Sequence, residues 1–285
     1  MNKIARNFLK KSKYIAKSAI SVLKFKRVEP IVHPTDNENM LNGKTALITG
    51  GSGGIGFAIA KSFVESGCQV IISGTNEKKL QDCCNKLGNN SKYVVMNLLN
   101  VKEIREGIKS AVKLFGKIDI LVNSAGIHST AMISDFLDVT EEEYDSILGI
   151  NLKGTYFVCQ EISNYMIENK IKGHILNISS SVALEPAWSP YRLSKWGVKG
   201  FTAGLAQKLI QYGIVVNAIA PGSTATSMLG VKEGDSIYTD DNPVGRFIMP
   251  DEVASYAKMM VSDLGNMVVG DTLYISGGRG TIDVR

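Results

Sequence analysis

From residue 41 to the end of the chain, short apolar runs alternate with longer stretches of helical period. That alternation leaves few architectures open. The runs fall at 45–49, 69–73, 93–96, 118–122, 174–179, 214–220 and 272–275. They are rich in β-branched residues and mostly apolar throughout, as strands covered on both faces should be. Helical patterns separate them at 55–67, 76–87, 101–115, 141–168, 190–212 and 251–263. Strand then helix, repeated, implies a parallel sheet with helices on both faces. The expected fold is a single α/β domain of Rossmann type, doubly wound, with about seven parallel strands. The longest irregular segment, 221–250, is long enough to act as a lid.

The first run ends in T-G-G-S-G-G-I-G, residues 49–56, and passes straight into a helix. Glycines let the chain turn tightly and let backbone amides approach a pyrophosphate, while the helix N-terminus favours the anion. A strand before and a helix after distinguish such a string from a flexible loop tip. Two registers fit. Gly51, Gly53 and Gly56 spell G-x-G-x-x-G; Thr49, Gly50, Gly54 and Gly56 spell T-G-x-x-x-G-x-G.

The second register is that of the short-chain dehydrogenase/reductase family, and further segments resemble that family in order. N-S-A-G (123–126) is similar to its N-N-A-G, with one substitution. I-N-L-K-G contains Asn151, and G-H-I-L-N-I-S-S (173–180) looks like the strand that carries its serine. Y-R-L-S-K (191–195) matches Y-x-x-x-K, and A-P-G-S-T-A-T (220–226) matches P-G-x-x-x-T. N-P-V-G-R-F-I-M-P-D-E-V-A and Y-I-S-G-G complete the set. The resemblance runs from about residue 41 to 280 and is nearest to the 3-oxoacyl-[acyl-carrier-protein] reductases.

By that resemblance Asn151, Ser180, Tyr191 and Lys195 are the catalytic residues. Cofactor contacts are expected from Gly50, Ser52, Gly53, Gly54, Ile55 and Gly56 in the loop. Ser73, Thr75 and Asn76 follow the second strand, and Asn97 and Leu98 the third. Asn123, Ala125 and Gly126 follow the fourth. Pro221, Gly222, Thr224 and Thr226 line the nicotinamide, with Tyr191 and Lys195 beside it. Substrate contacts are expected from Ser180, Val182, Trp188, Tyr191 and Met228, with Leu184 and His128 near the pocket. Ten residues separate Ser180 from Tyr191, fewer than in most of the family, so Ser179 and Ser181 remain alternatives for the serine.

The chemistry of this set stands on its own. Tyr191 and Lys195 are four apart and share one helical face. A free tyrosine has a pKa near ~10 and is a poor base at neutral pH. A close ammonium favours the phenolate. Tyr191 then donates a proton to a carbonyl oxygen as hydride reaches the carbon, while Ser180 hydrogen-bonds the same oxygen. Asn151 is expected to hold a water that links Lys195 to bulk in a proton relay.

An acid at the end of the second strand would bind a ribose 2′-hydroxyl, but Ser73-Gly74-Thr75-Asn76 has none. Its lack removes repulsion against a 2′-phosphate, and Lys78 or Lys79 adds charge. NADP(H) is therefore favoured, with NAD(H) the alternative. The expected activity is NADPH-dependent carbonyl reduction, with a 3-oxoacyl thioester as leading substrate. The alternatives are a sugar, polyol or secondary-metabolite ketone and, further off, a non-catalytic nucleotide-binding scaffold. A homo-oligomer, dimer or tetramer, is implied by resemblance only.

The net charge of +5 first suggests nucleic acid. Its distribution says otherwise. Residues 1–40 hold nine basic and three acidic residues, and the other 245 sum to −1. Lys3, Arg6, Lys10, Lys13, Lys17 and Lys24 fall on one helical face and Ile4, Phe8, Ile15, Ala19, Val22 and Leu23 on another. Residues 1–27 thus read as a basic amphipathic arm suited to an anionic membrane surface, with 28–40 a linker and 41–285 the catalytic domain. Nucleic acid is not an expected partner. The protein is expected in the cytoplasm, peripheral on a membrane through the arm, with organelle targeting as the competitor. Four cysteines without paired spacing and three scattered histidines predict no metal centre.

Overall fold

The computed structural model describes residues 39–128, 136–231 and 235–282. The basic arm, most of the linker and residues 232–234 of the lid lie outside the described residues. β1 (Thr45–Thr49), β2 (Gln69–Gly74), β3 (Ser91–Val95), β4 (Ile120–Asn123), β5 (His174–Ile178), β6 (Val215–Pro221) and β7 (Thr272–Ile275) form one parallel sheet of order 3-2-1-4-5-6-7. The order reverses between β1 and β4, so the loops after these two strands part and open a crevice at the strands' C-terminal ends.

The helices are α1 (Gly54–Glu65), α2 (Glu77–Leu87), α3 (Val101–Phe115), α4 (Glu141–Leu148), α5 (Thr155–Glu168), α6 (Pro190–Leu209) and α7 (Pro250–Val261). The apolar strands alternate between two cores. Ala46, Ile48, Val70, Ile72, Ile120 and Val122 face α1, α2 and α7, where Phe63, Leu80 and Val253 meet them. Leu47, Ile71 and Leu121 point the other way, to Ile104, Val158 and Leu209 on α3, α5 and α6. Side chains of a strand alternate faces, so an unbroken apolar strand feeds both layers at once.

The single helix expected over 141–168 is instead α4, a π-helical turn at Gly149–Gly154, and α5. Close packing accounts for both glycines. A Cβ at Gly149 would lie 2.6 Å from Leu99 Cδ2, and one at Gly154 would lie 2.8 Å from Leu98 Cβ. The wider turn carries Asn151 into the interior, where it is 1% exposed.

Candidate active site

The crevice gathers residues from six segments. At its floor, Gly50 has φ +66°, and a Cβ there would lie 2.6 Å from Ala125 Cα. Only glycine meets both demands. A Cβ on Gly54 would lie 2.5 Å from Thr226 Cγ2, so the glycine loop touches the start of the lid. α2, α3, α4 and α6 are each capped by a side chain, from Asn76, Asn100, Thr140 and Ser189. α1 is not: its N-cap is Gly53, and its first turn holds no acid. Its amides and dipole are left to an outside anion.

Asn151 joins the walls of the crevice. Its Nδ2 donates to the Ile127 carbonyl at 2.8 Å and to Ser194 Oγ at 3.1 Å, and its Oδ1 accepts from the Ile127 amide at 2.9 Å. Ser194 in turn donates to the Tyr191 carbonyl at 2.7 Å. Both amide protons of Asn151 are thereby committed, and its side chain braces the strand exit at Ile127. Gly126 leaves the space that results: a Cβ there would lie 3.3 Å from Asn151 Oδ1 and 3.6 Å from Lys195 Nζ.

Pro190 sits in the first turn of α6, where its missing amide is not needed, and Ser189 caps the helix at the Arg192 amide. This start sets Tyr191 and Lys195 on the face toward β5. Lys195 is buried; its Nζ donates to the Ile178 carbonyl at 3.0 Å and lies 5.5 Å from the Tyr191 ring centroid. Burial lowers its pKa to about 8. Burial pushes the Tyr191 phenol up, while a hydrogen bond with Ser180 and the positive charge of Arg279 pull it down. Of the three candidate serines, Ser180 is the one that acts on the Tyr191 phenol. Ser179 Oγ instead donates to the Lys195 carbonyl at 3.0 Å, and Ser181 is buried.

The remaining residues divide. Thr49 Oγ1 accepts from the Ala125 amide at 3.3 Å, and Asn123 Nδ2 donates to Asn177 Oδ1 at 2.9 Å, which fixes the wall after β4. Thr224 is buried and donates to the Gly222 carbonyl at 3.0 Å just beyond Pro221. Ser52, Gly53 and Gly54 share a cleft of about 290 Å³ with Phe57, Lys79 and Lys86; Lys78 does not line it. Asn76 Oδ1 accepts from the Lys79 amide at 2.9 Å, and Asn97 Oδ1 from the Leu99 amide at 3.0 Å, so both turns are held by their own asparagines. On the substrate side, His128 meets the Tyr191 ring edge-on at 6.1 Å, and its Nε2 lies 3.4 Å from the Met228 carbonyl oxygen. Met228 is exposed and Val182 half-buried. Trp188 is exposed, with the Arg192 guanidinium 5.3 Å from its ring centre. Motif reading missed Glu185 and Arg279, which pair at 2.7 Å beside this site. They are 94 residues apart, and no local pattern announces such a pair.

A model described as "short chain dehydrogenase" matches residues 44–236. The chain is 39% identical over 243 residues to a 3-oxoacyl-[acyl-carrier-protein] reductase of Rickettsia felis, covering 84% of this chain and 97% of that protein. It is 36% identical over 249 residues to the enzyme of that name from Aquifex aeolicus, covering 85% and 99%. Among solved structures, it resembles the 3-ketoacyl-(acyl-carrier-protein) reductase of Brucella melitensis complexed with NADH, with TM-score 0.77 and 32% identity, covering 85% of this chain and 100% of that one. An actinorhodin polyketide ketoreductase variant with NADPH gives TM-score 0.77 at 28% identity, covering 84% and 98%.

Proposed function

Because the chain belongs to the short-chain dehydrogenase family, we propose that it is an NADPH-dependent reductase of a 3-oxoacyl thioester. Membership makes it an oxidoreductase that interconverts carbonyl and alcohol groups with a nicotinamide cofactor. The observation that carries the reading is the half-buried Tyr191 with the buried Ser180 and Lys195, Lys195 lying close to Gly126, in a fold whose first helix starts uncapped.

The residues present fit a dinucleotide. Gly50 and Gly54 bring backbone where side chains would collide, and the bare start of α1 suits a pyrophosphate. Lys79, beside Ser52 and Gly53, is placed to meet a 2′-phosphate, with Thr75 near it in sequence. That supports NADPH over NADH. When bound, the reduced cofactor supplies hydride. The chain's own residues do the rest. Ser180 donates a hydrogen bond to the substrate's carbonyl oxygen and Tyr191 gives that oxygen its proton. Lys195 stabilises the phenolate left behind and, with a pKa near 8, can return a proton close to neutral pH.

The thioester reading draws support from the named reductases and from the exposed apolar side chains of Met228 and Trp188. A second reading is a sugar or polyol ketone, whose hydroxyls suit the exposed Tyr238–Asp240 pair of the lid. The test is NADPH oxidation with acetoacetyl-CoA against a panel of keto-sugars. Turnover of acetoacetyl-CoA is expected, and faster turnover of a keto-sugar would transfer the reading to the second class. A groove of about 730 Å³ lined by Leu99, Tyr144, Leu152, Tyr156 and Phe157 supports a homo-oligomer through the helices flanking Asn151. The charge pattern of residues 1–27 supports docking on anionic membrane, which co-sedimentation with anionic liposomes, full chain against one starting at Leu41, would test.

A further inference from the structure

In the reading above, a ketone at Ser180 and Tyr191 is flanked by two segments: the connection 181–189, which carries Trp188, and the lid, which carries Met228. One side chain reaches both. Arg279 sits in the turn that follows β7. On the connection side its Nε donates to Glu185 Oε1 at 2.7 Å, and its Nη2 lies 3.5 Å from Glu185 Oε2. On the lid side its Nη1 donates to Ser223 Oγ at 3.3 Å and lies 3.9 Å from Asp241 Oδ2. Ser223 in turn donates to Asp241 Oδ2 at 2.8 Å, so two points of the lid 18 residues apart meet at one guanidinium.

The backbone of the same turn is wedged between the same two segments. A Cβ on Gly277 would lie 2.6 Å from Asn242 Oδ1, and one on Gly278 would lie 3.1 Å from Pro243 Cγ, both in the lid. A Cβ on Gly280 would lie 3.1 Å from Leu184 Cβ, in the connection. The Gly222 amide, where the lid begins, donates to the Ile275 carbonyl at the end of β7 at 2.9 Å. Glu185 has a second partner, Arg192 Nη1, at 2.7 Å. The side chains of Glu185, Arg192 and Arg279 are each about three-quarters or more shielded from water, so salt screens this cluster less than an open surface pair.

We propose that Arg279 is a specificity-determining residue: its guanidinium is a spacer between the connection and the lid, and the width it fixes selects the ketone. A guanidinium suits the task because its donors form a rigid planar fork, one edge of which meets Glu185 while the other meets the lid. The effect falls on binding, because the tie ends on Glu185, Ser223 and Asp241 and on none of the catalytic side chains. The proposal rests on the reading of Ser180 and Tyr191 as the place of the ketone, not on which ketone it is.

Arg279→Met removes the fork and leaves Glu185 its Arg192 partner, so no carboxylate is stranded. In the full-length protein, KM for acetoacetyl-CoA, or for whichever ketone the wild type reduces, should rise by about three- to tenfold. The values of kcat and of the NADPH dissociation constant should stay within about twofold. A wider gap should also favour bulk beside the carbonyl. The ratio of kcat/KM for ethyl 2-methylacetoacetate to that for ethyl acetoacetate should rise by about threefold or more. Arg279→Lys keeps the charge but replaces the fork with a single ammonium, so KM should stay raised; a wild-type KM in the lysine variant would overturn the spacer. Ser223→Ala with Asp241→Asn cuts the tie from the lid end and serves equally should Arg279→Met fail to fold. It should raise KM alike, and adding Arg279→Met to it should raise KM no further, whereas independent, additive losses would contradict a single tie. A folded variant with the wild-type KM and the wild-type ester ratio would overturn the proposal. Tyr191→Phe separates the two levels. If that variant still turns over, the underlying reading fails; if it is inactive and KM and the ester ratio are unmoved in Arg279→Met, only this inference fails.

Discussion

The two halves of the crevice are built differently. The half below Tyr191 is fixed by backbone: strand ends, the glycine loop, and Asn151 hydrogen-bonded on both sides of Ile127. The half above it, the lid over 222–249, has a short 3-10 turn at Ser227–Leu229 and isolated bridges at Thr224–Ile248 and Tyr238–Arg246. Its apolar side chains Met228, Tyr238 and Val244 are exposed. Chemistry needs atoms held to a fraction of an ångström, and the fixed half supplies that. Substrate choice needs only shape and polarity, and the lid can vary them without disturbing the reaction. Changes at the catalytic side chains of the fixed half should therefore lower turnover for every ketone, whereas lid changes beyond Thr226 should alter KM for one class.

The strongest break comes at Lys195. Lys195→Met should lower kcat by about 10²–10⁴ in steady-state assays, the range for losing acid–base support. The same change should stabilise the fold. Burial lowers the Lys195 pKa from 10.5 to about 8. Between those values the unfolded chain holds a proton that the folded chain lacks, so stability rises with pH across that window. At pH 7 the buried ammonium carries its full penalty. Calorimetry should then show Tm of Lys195→Met above wild type by ~2–4 °C at pH 7, with the gap closing toward pH 10.5. Next in size, Gly50→Ala forces a side chain into φ +66° and onto Ala125. NADPH affinity, read by quenching of protein fluorescence, should fall by about tenfold or more.

Lys79→Met tests the edge of the fixed half. It should weaken NADPH by about tenfold, leave NADH within about twofold, and leave kcat at saturating cofactor unchanged. An equal loss for both cofactors would move the 2′-phosphate elsewhere. The smallest effect belongs to the lid. Met228→Ala should raise KM for a long-chain 3-oxoacyl thioester by about threefold, with little change for acetoacetyl-CoA or in kcat.

The same contrast explains what the sequence made legible. Seven strands are visible because apolar β-branched runs between helical patterns are local signals, and their bounds agree within two residues: 69–73 against Gln69–Gly74, 214–220 against Val215–Pro221. Tyr191 and Lys195 are legible because one helix presents both. The π turn at Gly149–Gly154 is not, since it interrupts hydrogen bonding without interrupting the helical spacing of apolar residues. The serine register stays open in sequence, where residues 179–181 are all serine; only the path of the chain spends Ser179 on the Lys195 carbonyl and leaves Ser180 to act on the phenol. Glu185 and Arg279 meet through tertiary packing alone, so neither motif nor period marks them.

The most direct measurement is paired binding and turnover in Tyr191→Phe. Losing one hydroxyl from a ring otherwise held by α6 should leave NADPH affinity within about twofold of wild type, while ketone reduction falls by about 10²–10⁴. Turnover within threefold of wild type, with the cofactor bound normally, would contradict Tyr191 as the proton donor and with it the division of labour between the two halves.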